Sequence, residues 1–203
     1  ADGRVTAVTA NAAAFTNDEF KLFAAFPELT ALTLWHNGKI DPKAASSAWD
    51  GTGLAHLGGL PKLTRVTLAG GALNDAGMAA AAKLPALAEL HIWHASFTDA
   101  GFAPFRNHPT LAVVRLGPMW LPDTTDKTVE ELATCPNMRS IQVSETHLTW
   151  DGGLKHLAAA KGLKTLDLKN CLIDPADVDR AKADLPGVAV AWEGLAGAGA
   201  ALA

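Results

Sequence analysis

At 203 residues, with 49% apolar residues and a formal charge of -4, the chain is long enough for one domain with a substantial buried core. Its acidic balance, with a pI near 5.9 and no dense run of Lys or Arg, argues against an electrostatic grip on nucleic acid or anionic lipid. Charges or prolines interrupt every apolar stretch before the roughly 18 to 20 residues that a membrane-spanning helix needs, and Cys135 and Cys171 alone exclude a disulfide framework or a zinc site built mainly from thiolates.

The first apolar alternation is Val5-Val8-Ala10, too short for a helix and suited to a strand buried on one side. Pro27-Leu29-Leu32-Leu34 repeats it behind a proline and runs into Trp35-His36, followed by a Gly/Pro/Ser-rich insertion at 38–50. Pro61-Leu63-Val66-Leu68 follows and ends in Ala69-Gly70. Beyond it, Leu73-Asn74-Asp75 leads into the Ala-rich run 79–83, a helix whose Asn and Asp satisfy free amides at its start and suit its dipole. Pro85-Leu87-Leu90-Ile92 ends in Trp93-His94, and Phe97-Thr98-Asp99 opens a second such helix that reaches Phe105. Pro109-Leu111-Val114-Leu116 precedes a second insertion at 118–125, which holds Trp120. Pro136-Met138-Ile141-Val143, Leu163-Leu166-Leu168 and a degenerate Val188-Val190-Trp192 complete the series.

Successive anchors at Val5, Leu29, Leu63, Leu87, Leu111, Met138, Leu163 and Val188 lie 24, 34, 24, 24, 27, 25 and 25 residues apart, so the period is 24 and the longer steps are loop insertions. A strand followed by a helix of 8 to 10 residues cannot bury its apolar stripe alone, but stacked copies share one core. The organisation expected is a domain over residues 1–192 of about eight units, followed by an Ala/Gly-rich tail over 193–203 that does not fold. Neighbouring strands about 4.8 Å apart make a parallel sheet, curved because helices need more room than strands.

These residues resemble the leucine-rich-repeat superfamily, and Leu163-Lys164-Thr165-Leu166-Asp167-Leu168-Lys169-Asn170-Cys171-Leu172-Ile173-Asp174 is similar to its cysteine-containing, ribonuclease-inhibitor-like branch. Other units place Asn37, Gly71, Ala95, Met119 or Thr146 where this one has Cys171. The resemblance implies an α/β fold, a right-handed horseshoe with a parallel sheet on its concave face and helices on its convex face. It implies binding through the concave face or adjoining loops, and no reaction. Similar repeats occur in F-box substrate adaptors, but residues 1–4 ahead of the first repeat hold no F-box-like helix, so a ubiquitin-ligase role is not expected.

Alternate strand positions point to the concave face. Trp35-His36 and Trp93-His94 flank Ala69 there, which places the tryptophans about 10 Å apart, a spacing able to cradle a flat or extended group. Arg65, Glu89, His91 and Arg115 surround them, and Trp120 lies in the loop edge; these nine residues are the candidate partner-binding set. Gln142, Glu145, Asp167 and Lys169 continue the face without aromatic residues, as its plainer half. Against this stands the reading that tryptophans plug the core where ladder residues are small, favoured for Trp49, Trp120, Trp150 and above all Trp192.

His36, His91 and His94 are too badly spaced to bind a metal, because residues three apart on a strand face opposite ways. No nucleophile motif, phosphate-cradling loop or His-Glu-x-x-His is present, so no catalytic residue and no cofactor is expected. Gly77, Gly101 and Gly153 recur at one place in the repeat and are assigned to tight turns, while Cys171 is expected to be buried. The function expected is a non-catalytic module that binds a protein or peptide, or else a glycan. The alternative is a scaffold segment of a larger exported or multidomain protein, self-associating through uncapped ends. A start at Ala1 without Met fits either a trimmed export signal or an excised segment, which leaves the compartment open with a periplasmic or secreted location favoured.

Overall fold

A computed structural model describes residues 3–11, 15–35, 49–69, 73–117 and 124–194. Its strands are β1 (Ala7–Asn11), β2 (Ala31–Trp35), β3 (Arg65–Ala69), β4 (Glu89–Trp93), β5 (Val113–Leu116), β6 (Ser140–Ser144), β7 (Thr165–Lys169) and β8 (Ala189–Glu193). All eight lie in one sheet in chain order, and every neighbouring pair is parallel. The sheet is stacked in register: Leu32, Val66, Leu90, Val114, Ile141 and Leu166 are successive partners, and each is 0% exposed. A second inward row runs Leu34, Leu68, Ile92, Leu116. Both rows belong to one continuous core that the return segments close from the other side.

Those return segments are less uniform than the repeat predicts. Among the described residues, three are α-helices, α1 (Asp75–Ala81), α2 (Asp126–Ala133) and α3 (Pro175–Asp184). The others, Asn17–Ala25, Thr52–Leu57, the pair Asp99–Gly101 and Ala103–Phe105, and Leu154–Ala159, are 3-10 helices. The helix expected through Phe105 is therefore two 3-10 turns, divided near Pro104, which has no amide to donate and fixes its own φ. A 3-10 helix rises about 2.0 Å per residue against about 1.5 Å for an α-helix, so a short return segment covers the same distance with fewer residues.

The expected caps are present: Asn74 accepts from the Gly77 amide at 3.1 Å and Thr98 from the Ala100 amide at 3.1 Å. The recurrent glycines have a different cause from the one expected. A Cβ at Gly77 would lie 2.3 Å from the Asp50 carbonyl oxygen, at Gly101 2.8 Å from an Asp75 carboxylate oxygen, and at Gly153 2.4 Å from an Asp126 carboxylate oxygen. Close approach to the preceding unit, rather than turn geometry, demands glycine there.

The ladder position held by Cys171 is buried in each described unit that has it, as Ala95, Thr146 and Cys171 show. Thr146 satisfies its hydroxyl by donating to the Thr124 carbonyl. Cys171 donates to the Val143 carbonyl at 3.4 Å, and burial pushes its thiol up to about 11, so it is an inert core residue. Cys135 is also buried and donates to the Phe105 carbonyl at 3.3 Å. Trp192, expected in the core, is only half-buried: it packs against the core and donates from Nε1 to the Cys171 carbonyl at 3.3 Å, on a strand that among the described residues pairs with β7 alone. Most of the two insertions, and the tail from residue 195, lie outside the described residues.

Candidate binding face

Three rows of side chains cross the helix-free face, one from each outward position of the strands. The first contains Arg65, Glu89, Val113, Ser140, Thr165 and Ala189; the second contains Thr67, His91, Arg115, Gln142, Asp167 and Ala191. In the third, Trp35 pairs with Ala69 and Ala69 with Trp93, so the two tryptophans stand two strands apart, as the spacing predicts.

The tryptophans are held differently. Trp35 is 43% exposed, an unusual state for so large a ring on a strand. Trp93 is half-buried and leans away from Ala69, over Gly117. A Cβ on Gly117 would lie 1.7 Å from the Trp93 ring, so glycine at 117 is what lets the indole lie against the backbone of the next strand. The His91 ring meets Trp93 edge-on at 5.9 Å between centroids.

The charged neighbours largely satisfy one another. Arg65 makes a two-pronged pair with Glu89, Nε at 2.6 Å and an Nη at 3.0 Å. That contact holds the Glu89 carboxyl below its usual range and raises Arg65 further. His91 lies 3.8 Å from Glu89, yet its Nε2 is enclosed and makes no hydrogen bond. Burial, assisted by the Arg115 charge, lowers its affinity for a proton.

His94 follows β4 in a left-handed conformation, φ 55°, and is half-buried. Glu145 (φ 59°) and Asn170 (φ 51°) adopt the same conformation just past β6 and β7, so this is a turn position of the repeat. His36 and Trp120 lie outside the described residues. Trp49 and Trp150 are buried at 2% and 6%, the core reading, with Phe20 against the first ring and the Arg180 guanidinium 5.3 Å from the second.

The half of the face read as plainer carries a hollow of about 300 Å³. Arg115, Gln142 and Asp167 line it from the middle row, Ser140 and Thr165 from the row beside them, and Ala189 and Ala191 leave its β8 side low. Thr165 donates to the Ser140 hydroxyl at 2.7 Å. The signal that could have marked it is the run of small outward residues on β6 to β8 opposite one long arginine. Among the described residues no cluster of His, Cys, Asp and Glu is arranged to hold a metal.

No protein-family model and no curated relative matches the chain. Solved structures do. An internalin (inlF) from Listeria monocytogenes superposes with a TM-score of 0.63 at 17% identity over 94% of this chain, which spans 49% of that protein, about half its length. An internalin C2 (inlC2) from the same organism gives a TM-score of 0.64 at 21% identity over 92% of this chain and 70% of its own. Internalins are leucine-rich-repeat proteins, and neither match singles out the cysteine-containing branch. With its eight parallel strands in register and its helical returns, the chain has the leucine-rich-repeat solenoid fold.

Proposed function

We propose that the chain is a non-catalytic binding module that engages a protein or peptide through its concave face, with Trp35 and Trp93 as apolar anchors. The observation that carries this is a 43% exposed Trp35 on β2, a strand paired on both sides, two strands from a Trp93 that Gly117 keeps flat. A large aromatic gains nothing from water, and rigid aromatic rings dominate interface energetics at small entropic cost. The internalin likeness supports a binding solenoid as the frame for such a face.

Display selection of random peptides on the folded chain supplies ligands on which to test this. Trp35→Ala and Trp93→Ala are each expected to weaken the selected ligands about tenfold or more, the range of interface hot spots. Circular dichroism and the thermal midpoint should stay close to those of the parent for Trp35→Ala. Selected ligands whose affinity ignores both substitutions would overturn the reading.

A further inference from the structure

The two halves of the concave face use their polar groups differently. On β3 and β4, Arg65 and Glu89 are spent on each other. On β5 to β7, Arg115, Gln142 and Asp167 stand in one row as successive register partners, and no side chain of the three makes a hydrogen bond or ion pair with a described residue. They line the hollow of about 300 Å³, a volume at the lower end for a ligand site and enough for two or three residues of an extended chain.

We propose that this hollow reads a peptide segment carrying an acidic and a basic side chain two positions apart. Strand spacing separates Arg115 from Asp167 by about 9.6 Å at the backbone, with Gln142 midway. A lone anion would pair with Arg115 and be repelled by Asp167, and a lone cation would meet the converse. A neutral ligand would strip water from both charges and pair neither, which is unfavourable. Side chains i and i+2 of an extended peptide share one face about 6.7 Å apart, and the long arms of arginine on one partner and lysine on the other close the remaining distance. The Gln142 amide offers one donor group and one acceptor, the complement of the peptide link between those side chains. Ser140 and Thr165, hydrogen-bonded to each other, present hydroxyls in the row beside it.

This inference rests on the reading of the concave face as a peptide- or protein-binding surface, and its test uses a different part of that face. The full chain, labelled with ¹⁵N, is titrated to millimolar concentration with acetyl-Gly-Glu-Ala-Lys-Gly-amide, with its Gln-Ala-Gln analogue, and with a neutral hexasaccharide. The charged peptide should shift the backbone amides of residues 140–142 and 165–167 and the Gln142 side-chain amide, saturably. Replacing Glu by Gln in the peptide, or Arg115 by Gln in the protein, should each weaken it about three- to tenfold, and both together no more than either alone. Asp167→Asn should be coupled to the peptide lysine in the same way. Equal shifts with the neutral peptide, shifts with the saccharide only, additive substitutions, or shifts confined to other strands would each overturn the proposal. Peptide shifts that persist in a Trp35→Ala chain that has lost its selected ligands would separate failure of the tryptophan anchors from failure of the hollow.

Discussion

His91 occupies the middle outward position of β4, its Nε2 enclosed and without a hydrogen-bond partner. The groups facing it are Glu89 at 3.8 Å, with Arg65 and Arg115 on the adjoining strands. Burial first, and the Arg115 charge second, depress its pKa below the usual histidine value, so the folded chain favours the neutral ring. Its stabilising share is then complete above the unfolded-state value of about 6.5 and is lost as pH falls through the lower folded one. The thermal midpoint should fall between pH 7.5 and pH 5.5, and fall less in His91→Gln; equal slopes in the two proteins would show that His91 does not titrate across folding. Glu89, also depressed, acts in a separate window, from about 4.3 downward. The outward position of His91 was legible from period-2 alternation alone, as were those of Trp35, Arg65, Glu89, Trp93 and Arg115. Which of them pair was not, because Arg65 could reach several acceptors and only the register makes Glu89 its neighbour. Nor could sequence show that Trp93 lies on Gly117, since the two are 24 residues apart and joined only by strand pairing.

At the scale of the element, an acidic residue recurs in the first turn of the return segments and does more than suit the helix dipole. Asp75 accepts from the Thr98 amide at 2.7 Å and its hydroxyl at 2.9 Å, and Asp126 accepts from the Thr149 amide at 2.8 Å and hydroxyl at 2.7 Å. Asp99 takes four donors, the amide and hydroxyl of Thr125 at 2.8 and 2.6 Å and those of Thr128 at 3.0 and 2.5 Å. Each carboxylate therefore staples its unit to the next along the convex side, while the sheet does so on the other. Bonds to a charged acceptor are worth more than neutral ones, and Asp99→Ala leaves four donors to water or to nothing, so a loss of about 2–4 kcal/mol is expected. For a domain of this size that lowers the thermal midpoint by roughly 5–15 °C. Asp75→Ala, with two donors released, should cost less; an equal or larger loss there would count against the staple. The capping role of Asn74 and Thr98 was readable from residue type, but the reach of Asp75 and Asp99 into the following unit was not, because a capping pattern is local and the staple is not. The same limit applies to helix type. An Ala-rich run marks α1, yet nothing in Thr52–Leu57 or Leu154–Ala159 distinguishes an α-turn from the 3-10 turn that the distance to the next strand imposes.

For the whole molecule, each unit contacts mainly its two neighbours, through strand pairing on one side and return-segment packing on the other. That one-dimensional order is what made the architecture legible: a 24-residue period predicts the same partner at every step, and the inward row from Leu32 to Leu166 obeys it without slippage. Stability should then be a sum over units and their junctions rather than a property of one closed core. Deleting residues 87–110, one 24-residue period, joins Ala86 to Leu111 and brings Val114 beside Val66 in register. It also sets Asp75 before Thr125, which replaces Thr98 with a residue that already gives its amide and hydroxyl to Asp99. The shortened chain should stay folded by circular dichroism, unfold in one transition at a lower midpoint, and lose roughly one eighth of its denaturant m-value. Deleting residues 87–98 alone puts half a unit out of phase and should abolish the cooperative transition. If the full-period deletion failed as badly as the half-period one, the units would not be interchangeable, and the core would depend on features particular to β4 rather than on the repeat.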